Sequence, residues 1–290
     1  LYKYKALVVL TLLVAVVQAA TGIIIVVYAK EKVTARILGI AIVELIGYSA
    51  LYVIQMMRGK KFFYAKFWKH AIRFNIPLIP HYLSQTVLNS ADRIMISNMV
   101  GDNEAGIYSL AYSVSSIMVI FNSALMQTLN PWIYQKIKAK KFQDIEKVAL
   151  IIVAVSNLVL ILLAPEVIAF FAPRAYYNAV WVVPPIAMSV YFMYSYDLFA
   201  KFTFYYEKTN LIMLTSVIGA VLNVLLNHIF INIFGYMAAG YTTLACYMIY
   251  SIGHYILMNH ICDRYCEGVR PYNVMRFAVI TMSFLVSGFL

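Results

Sequence analysis

The residues best suited to chemistry lie on one short stretch. His81, Gln85, Asn89, Asp92 and Arg93 fall within an arc of about 120° when wound at about 100° per residue, so a helix here carries one polar face. An imidazole, two amides, a carboxylate and a guanidinium on one face can hold a polar or anionic ligand, a proton or an ion. Ionisable groups inside an apolar helix are costly, and by default they mark a cavity or a partner. Arg93 offers a planar fork for phosphate oxygens, and Asp92 beside it can orient that fork. The plainer alternative is an arginine that snorkels to the headgroups near the end of its span. Asn223 and Asn227, with His228 beside them, form a second polar pair one helical turn apart. Asp197 and Lys201 form a third, whose members can simply pair with one another. Glu44 is a lone acid in an apolar run and, with Asp197, a candidate proton or ion site. Ser113, Ser116, Ser123, Gln127 and Asn130 make a further stripe. Such residues often only join membrane helices, but several stripes in one chain favour a hydrated internal cavity.

Other chemistry is hard to find. There is no glycine-rich phosphate loop, no zinc-protease motif and no nucleophile–base pair by spacing, which argues against an enzyme. Cys262 and Cys266 are separated by three residues rather than the two usual for zinc, and they read as reduced thiols in a loop. No metal site and no cofactor are expected.

The elements that position these residues must sit in a membrane. Of 290 residues 63 % are hydrophobic and 12 % charged, with a mean hydropathy of +0.79; soluble domains have about 25 % charged residues. Spanning about 30 Å of hydrocarbon takes about 20 apolar residues. Nine segments qualify or nearly so: 6–29, 37–57, 74–100, 105–134, 148–171, 175–200, 211–234, 236–261 and the interrupted 277–290. The stretch 209–262 has no charged residue and is too long for one helix, so Gly235 is read as a turn. Continuous apolar runs, rather than alternating strands, exclude a barrel. Pro77 and Pro80 break or kink the chain at the start of the third span. That is either an interfacial helix start or a broken helix at a transport site. Abundant Tyr and Phe suit interfacial belts and lipid-facing surfaces.

The net charge is +11. In polar sequence this would raise nucleic acid, but no basic run is interleaved with stacking aromatics, and cytoplasmic loops explain it better. One set of alternate loops holds 18 Lys and Arg, including Lys3, Lys5, Lys61 and Lys147, and the other set holds 4. The positive-inside rule then puts the start of the chain in the cytoplasm. Loops near Lys60, Lys140, Lys208 and Arg270 share that side, and those near Lys32, Asp102, Arg174 and Gly235 face outward. Residues 58–73, with Lys60-Lys61-Phe62-Phe63-Tyr64 and Phe67-Trp68, read as an amphipathic interfacial linker. The chain opens without Met and stops inside an apolar run, so it reads as an internal piece of a longer protein.

One pattern is more specific. Phe74-x2-Pro77-Leu78-Ile79-Pro80, then Leu88-Asn89-Ser90-Ala91-Asp92-Arg93-Ile94-Met95-Ile96, Gly101 and Ala105-Gly106-Ile107-Tyr108-Ser109-x-Ala111-Tyr112 cover about 40 residues and resemble polysaccharide flippases. These are the O-antigen and capsular (Wzx-type) proteins of the multidrug/oligosaccharidyl-lipid/polysaccharide exporter superfamily. The resemblance implies an all-α fold of two six-helix lobes around a central cavity, with extra C-terminal helices. On that plan 1–57 is the end of the first lobe, 58–73 the linker and 74–262 the second lobe. Residues 263–290 would be a linker and the start of an extra helix. It also implies alternating-access transfer of a lipid diphosphate-linked oligosaccharide from the inner to the outer leaflet of a bacterial plasma membrane. Membrane lipids and polysaccharide assembly proteins are the implied partners. Only Asp92 and Arg93 carry over from the family's motif. On physical grounds Asn89, Gln85, His81, Asn223, Asn227 and Lys201 join them as substrate or cavity candidates. The alternatives are an ion-coupled multidrug antiporter of the same superfamily and, further off, a membrane polysaccharide polymerase or acyltransferase.

Overall fold

The computed structural model describes residues 4–60, 63–142 and 147–290, without the side chains of 4–7, 50 and 147. Lys3, Lys61 and Phe62, and the side chains of Lys5 and Lys147, therefore lie outside the described residues. The chain divides into two compact units, Leu1–His70 and Ala71–Leu290. Every regular element among the described residues is helical, as the apolar runs require.

In the first unit α1 (Tyr4–Tyr28) and α2 (Lys32–Gly59) form an antiparallel hairpin. A Cβ on Gly47 would sit 2.6 Å from Val14 Cγ2, so the missing side chain is what lets Val14 bury against α2. Most of the other described side chains of this pair are apolar and exposed or half-exposed, the composition of a lipid-facing surface. Lys60 closes α2 in a left-handed conformation.

A short helix, α3 (Ala65–Asn75), follows with basic and aromatic residues and no buried side chain. Pro77 separates it from α4 (Leu78–Met99), and Pro80 falls in the first turn, where a missing N–H costs nothing. The proline pair is thus a helix start, and Phe74 belongs to α3, outside the third span in which the sequence places it.

The second unit continues with α5 (Asp102–Ala139), α6 (Lys147–Phe171), a 3-10 turn (Arg174–Trp181), α7 (Val183–Tyr205), α8 (Thr209–Phe234), α9 (Ala238–Tyr265) and α10 (Val274–Phe289). At 38 residues α5 runs through Pro131 and beyond its predicted span of 105–134. The predicted span 175–200 is instead two pieces, bent by 49°. Pro184 and Pro185 supply no N–H and fit best in a first helical turn, where none is needed, and α7 begins there. Gly235, with φ 77°, makes the turn between α8 and α9.

By length and apolarity five helices among the described residues can cross a bilayer (α1, α2, α5, α6 and α8), or six if the bent pair is one span. Of the nine expected segments α10 has only 16 residues, while α4 and α9 have the length but carry too many polar side chains.

The apolar core of the second unit has two parts. One gathers Ile133, Ile137, Phe142, Phe199, Phe202, Met258 and Tyr272; the other gathers Ile96, Ala105, Tyr108, Ile168, Val182, Ile231 and Ala239. Near the first part, Lys140 at the end of α5 forms an ion pair with Glu267. Lys208 before α8 lies over the Tyr265 ring, 5.2 Å from its centroid. These basic connections are therefore at one end of the bundle, as alternate loops of an up-and-down helix array must be. The Lys140 bond holds the Glu267 carboxyl below its ordinary range, and Glu267 raises the Lys140 amine. Cys262 and Cys266 are free, buried thiols; Cys262 lies in the last turn of α9 rather than in a loop and Cys266 just after the helix, with Tyr206 3.3 Å from its sulfur.

Candidate functional site

The polar face of α4 is turned inward, and each of its groups meets a different set of partners. Asp92, 1 % exposed, is the most enclosed. Its carboxylate accepts hydrogen bonds from Tyr108 Oη of α5 at 2.7 Å, Asn227 Nδ2 of α8 at 2.5 Å and Thr243 Oγ1 of α9 at 2.8 Å. Three helices thus converge on one acid. A second layer fixes the first: Asn227 Oδ1 accepts from Thr242, Asn227 Nδ2 also reaches Asn223 Oδ1 at 3.3 Å, and Asn223 donates to Thr243 at 3.4 Å. The predicted pair Asn223 and Asn227 is therefore brought to Asp92, from 131 and 135 residues away in sequence.

One turn along α4, Asn89 Oδ1 accepts from Tyr112 at 3.2 Å and Tyr247 at 3.1 Å. Gln85 follows, donating to Tyr250 at 3.1 Å and accepting from Tyr196 at 3.2 Å. Last is His81, whose Nδ1 lies 2.6 Å from Ser216 Oγ, itself 2.6 Å from Tyr250 Oη. From His81 to Asp92 the ladder spans about 16 Å of helix, roughly half the hydrocarbon thickness.

Arg93 does not belong to this ladder. It is half-buried, donates from Nη2 to the Asn89 carbonyl at 2.6 Å and to Ser90 at 3.4 Å, and stacks 4.6 Å over Tyr112. The expected pairing with Asp92 is not made, because both Asp92 oxygens are taken by residues across the helix interface. The remaining guanidinium nitrogens have no hydrogen-bond partner among the described residues, which leaves part of the fork available to an anion.

The other candidates stay apart. Lys201 is bonded to Asp197 at 2.7 Å on the same helix, so each neutralises the other. Glu44 is exposed on α2 and accepts from Gln18 of α1 at 3.3 Å, so its partner is in its own hairpin. Ser113, Ser116 and Ser123 bond back to carbonyls of α5, and Gln127 is exposed; this stripe does not join the ladder. Residue types misled most at the tyrosines. Tyr108, Tyr112, Tyr196, Tyr247 and Tyr250 are not a lipid-facing belt; they are packed inside and hydroxyl-bonded to α4. The legible signal was Tyr108 and Tyr112 one turn apart beneath a polar face.

Asp92 is met by donors alone, the hydroxyls of Tyr108 and Thr243 and the Asn227 amide N–H, while the Asn227 and Asn223 amide oxygens accept from Thr242 and Asn227 one layer back. A carboxyl so placed can take up a proton by giving up one of these donors.

A family model described as MatE matches residues 77–229, more than half of the chain, and contains the whole ladder on α4. A second, described as polysaccharide biosynthesis protein, matches residues 2–137. Among curated relatives, Lsg locus putative protein 1 of Haemophilus influenzae is 24 % identical over 207 residues, 68 % of this chain and 52 % of its own length. A membrane protein of the same organism is 24 % identical over 205 residues, 67 % of this chain and 50 % of its length. The chain thus spans about half the length of these relatives. Two solved structures share the fold at 18 % identity. An outward-facing multidrug resistance MATE family transporter of the MOP superfamily has a TM-score of 0.52, over 75 % of this chain and 52 % of that one. A MOP superfamily transporter from Pyrococcus furiosus has 0.50, over 75 % and 51 %. The likeness to these structures shows a shared multi-pass helical fold, and the MatE match over more than half of the chain shows that the chain belongs to the MatE family.

Proposed function

We propose that this protein works as a membrane transporter that moves a lipid diphosphate-linked oligosaccharide from the inner to the outer leaflet by alternating access, for assembly of a surface polysaccharide. The observation that carries the reading is Arg93, a half-buried guanidinium that among the described residues has no carboxylate partner and keeps fork nitrogens open. Unspent cationic donors next to amide and hydroxyl groups suit a diphosphate followed by sugars. The polysaccharide biosynthesis match over residues 2–137 supports the same substrate class. In this reading Asp92 is the coupling site for a proton, and the basic end of the bundle is cytoplasmic in a bacterial plasma membrane.

The MatE match and the multidrug resistance structure favour a second reading, an ion-coupled antiporter of small molecules. That reading needs Asp92 and its donors but gives Arg93 no role.

Arg93 variants of the complete protein, expressed in a flippase-deficient strain, separate the two. Arg93→Ala should abolish surface polysaccharide with little change in membrane protein level, and Arg93→Lys should fall between, because it keeps charge but loses the fork. Normal polysaccharide display in Arg93→Ala would sink the oligosaccharide reading. Drug resistance that survives in Arg93→Ala and disappears in Asp92→Asn would establish the antiporter instead.

A further inference from the structure

One stretch of the chain is basic with nothing acidic near it. Residues 58–73 hold six Lys and Arg, and no Asp or Glu occurs anywhere from 45 to 91. Three of these cations, Lys66, Lys69 and Arg73, lie on α3. Wound at about 100° per residue they fall within an arc of about 60°, with His70 at its edge. Phe67, Trp68, Ala71, Ile72 and Phe74 take the opposite side, over an arc of about 160°. The one polar residue on that side is Asn75, whose amide is tied back to the Ala71 carbonyl at 2.8 Å.

The rest of the chain covers neither side. No side chain of α3 is buried, and Phe67 is 70 % exposed. Among the described residues Lys66, Lys69 and Arg73 make no ion pair and lie over no ring. The aromatic side extends past the helix, because Phe63 stacks on Trp68 with centroids 6.1 Å apart and Tyr64 packs on Phe67 at 5.0 Å. Chain connection limits what can meet these two sides. The five residues 60–64 join α3 to α2, which is long and apolar enough to span, and residues 76 and 77 join it to α4. Five residues reach at most about 18 Å, so α3 cannot leave the membrane surface. Held there, its rings reach the acyl boundary and its cations the headgroup layer. Neutral lipid would satisfy the rings and leave three cations without counter-charge; anionic lipid satisfies both.

We propose that α3 is a binding surface for anionic phospholipid, with Lys66, Lys69 and Arg73 on the headgroups and Phe67, Trp68 and Ile72 in the acyl boundary. The selectivity for charge is what a merely interfacial helix would lack, and it holds whatever the protein transports.

Hydrogen exchange of the complete protein tests this, in nanodiscs of phosphatidylcholine alone and of phosphatidylcholine with an equal part of phosphatidylglycerol. Docking shelters the α3 amides, and each basic residue near an anionic surface strengthens the attachment. Exchange across residues 68–75 should therefore be at least about tenfold slower with phosphatidylglycerol, while amides around Gly235 serve as the reference and should not respond. Salt at about 1 M, where screening acts within about 3 Å, should remove most of the difference. Combining Lys66→Gln, Lys69→Gln and Arg73→Gln keeps the apolar side and should equalise the two lipids. All three residues are exposed, so the variant should accumulate; if it does not, the salt series reads the same charge dependence. Equal exchange of α3 in the two lipids, whether fast or slow, or a lipid dependence that the triple variant or high salt leaves intact, would overturn the proposal.

Discussion

Asp92 and Glu44 are the same kind of residue in the same kind of helix, and their surroundings differ completely. Glu44 lies on a two-helix hairpin with one amide partner, Gln18, and open surface around it. Asp92 lies where three neighbouring helices each contribute a donor, behind which Asn223 and Thr242 form a second layer. An acid in a span becomes a site through what converges on it. The first unit has two helices and cannot surround a side chain; the second has enough helices to enclose one.

The difference can be broken experimentally, beginning with the largest effect. Asp92→Ala strands three buried donors. Interhelical hydrogen bonds in membranes are worth about 0.6 kcal/mol on average and up to about 1.7, so the loss should be on the order of 2–5 kcal/mol, read as a lowered thermal unfolding midpoint in detergent. A midpoint within a degree of the unmodified protein would mean that the carboxylate organises nothing. Tyr108→Phe removes one of the three donors and no packing volume to speak of; it should cost about 0.6–1.7 kcal/mol in the same assay. Glu44→Gln preserves a partner for Gln18 and should stay within about 0.5 kcal/mol, as exposed substitutions do. A large fall there would show that Glu44 has a partner the hairpin does not reveal.

The smallest effect belongs to a third acid, outside the membrane. Glu267 is held below the usual carboxylate range by Lys140. A depressed carboxyl contributes stability that is present above its unfolded value and lost as pH falls through the folded one. Acid below the ordinary glutamate range should therefore loosen the tie between α5 and the α9–α10 turn, and Glu267→Gln should abolish that pH dependence. Hydrogen exchange at Gly268 and Val269 as a function of pH reads it directly.

Much of this fold was legible in sequence because apolar runs and prolines act locally. The break at Gly235 and the polar face of α4 follow from residue type and spacing, whereas Pro77 and Pro80 mark a break without deciding on which side of it Phe74 falls. Arg93 and Asp92 show where that reasoning stops. Adjacent opposite charges suggest a pair, yet neighbours on a helix point about 100° apart, and the partners of Asp92 come from α5, α8 and α9. Tyr108 and Thr243, the hydroxyls that bond the carboxylate, are ordinary residues in their own helices. Only the packing of those helices makes them a shell, and packing between distant segments leaves no local trace. The side chains that build the ladder also leave α4 and α9 less apolar than the helices around them, although their lengths suit a span.

The order of groups on α4 has a further consequence, for leakage. An ion-coupled carrier that offered protons an unbroken relay through its interior would dissipate the gradient that drives it. Along this ladder the groups able to pass a proton on, His81, Ser216, Tyr250 and Tyr196 at one end, Tyr112 and Tyr247 midway and Asp92 with Thr243 at the other, have Gln85 and Asn89 between them. A carboxamide can donate and accept hydrogen bonds, but it has no exchangeable position that hands a proton through at low cost. The two amides tie the helices together as firmly as hydroxyls would while acting as insulators, so the seam is mechanically continuous and electrically interrupted.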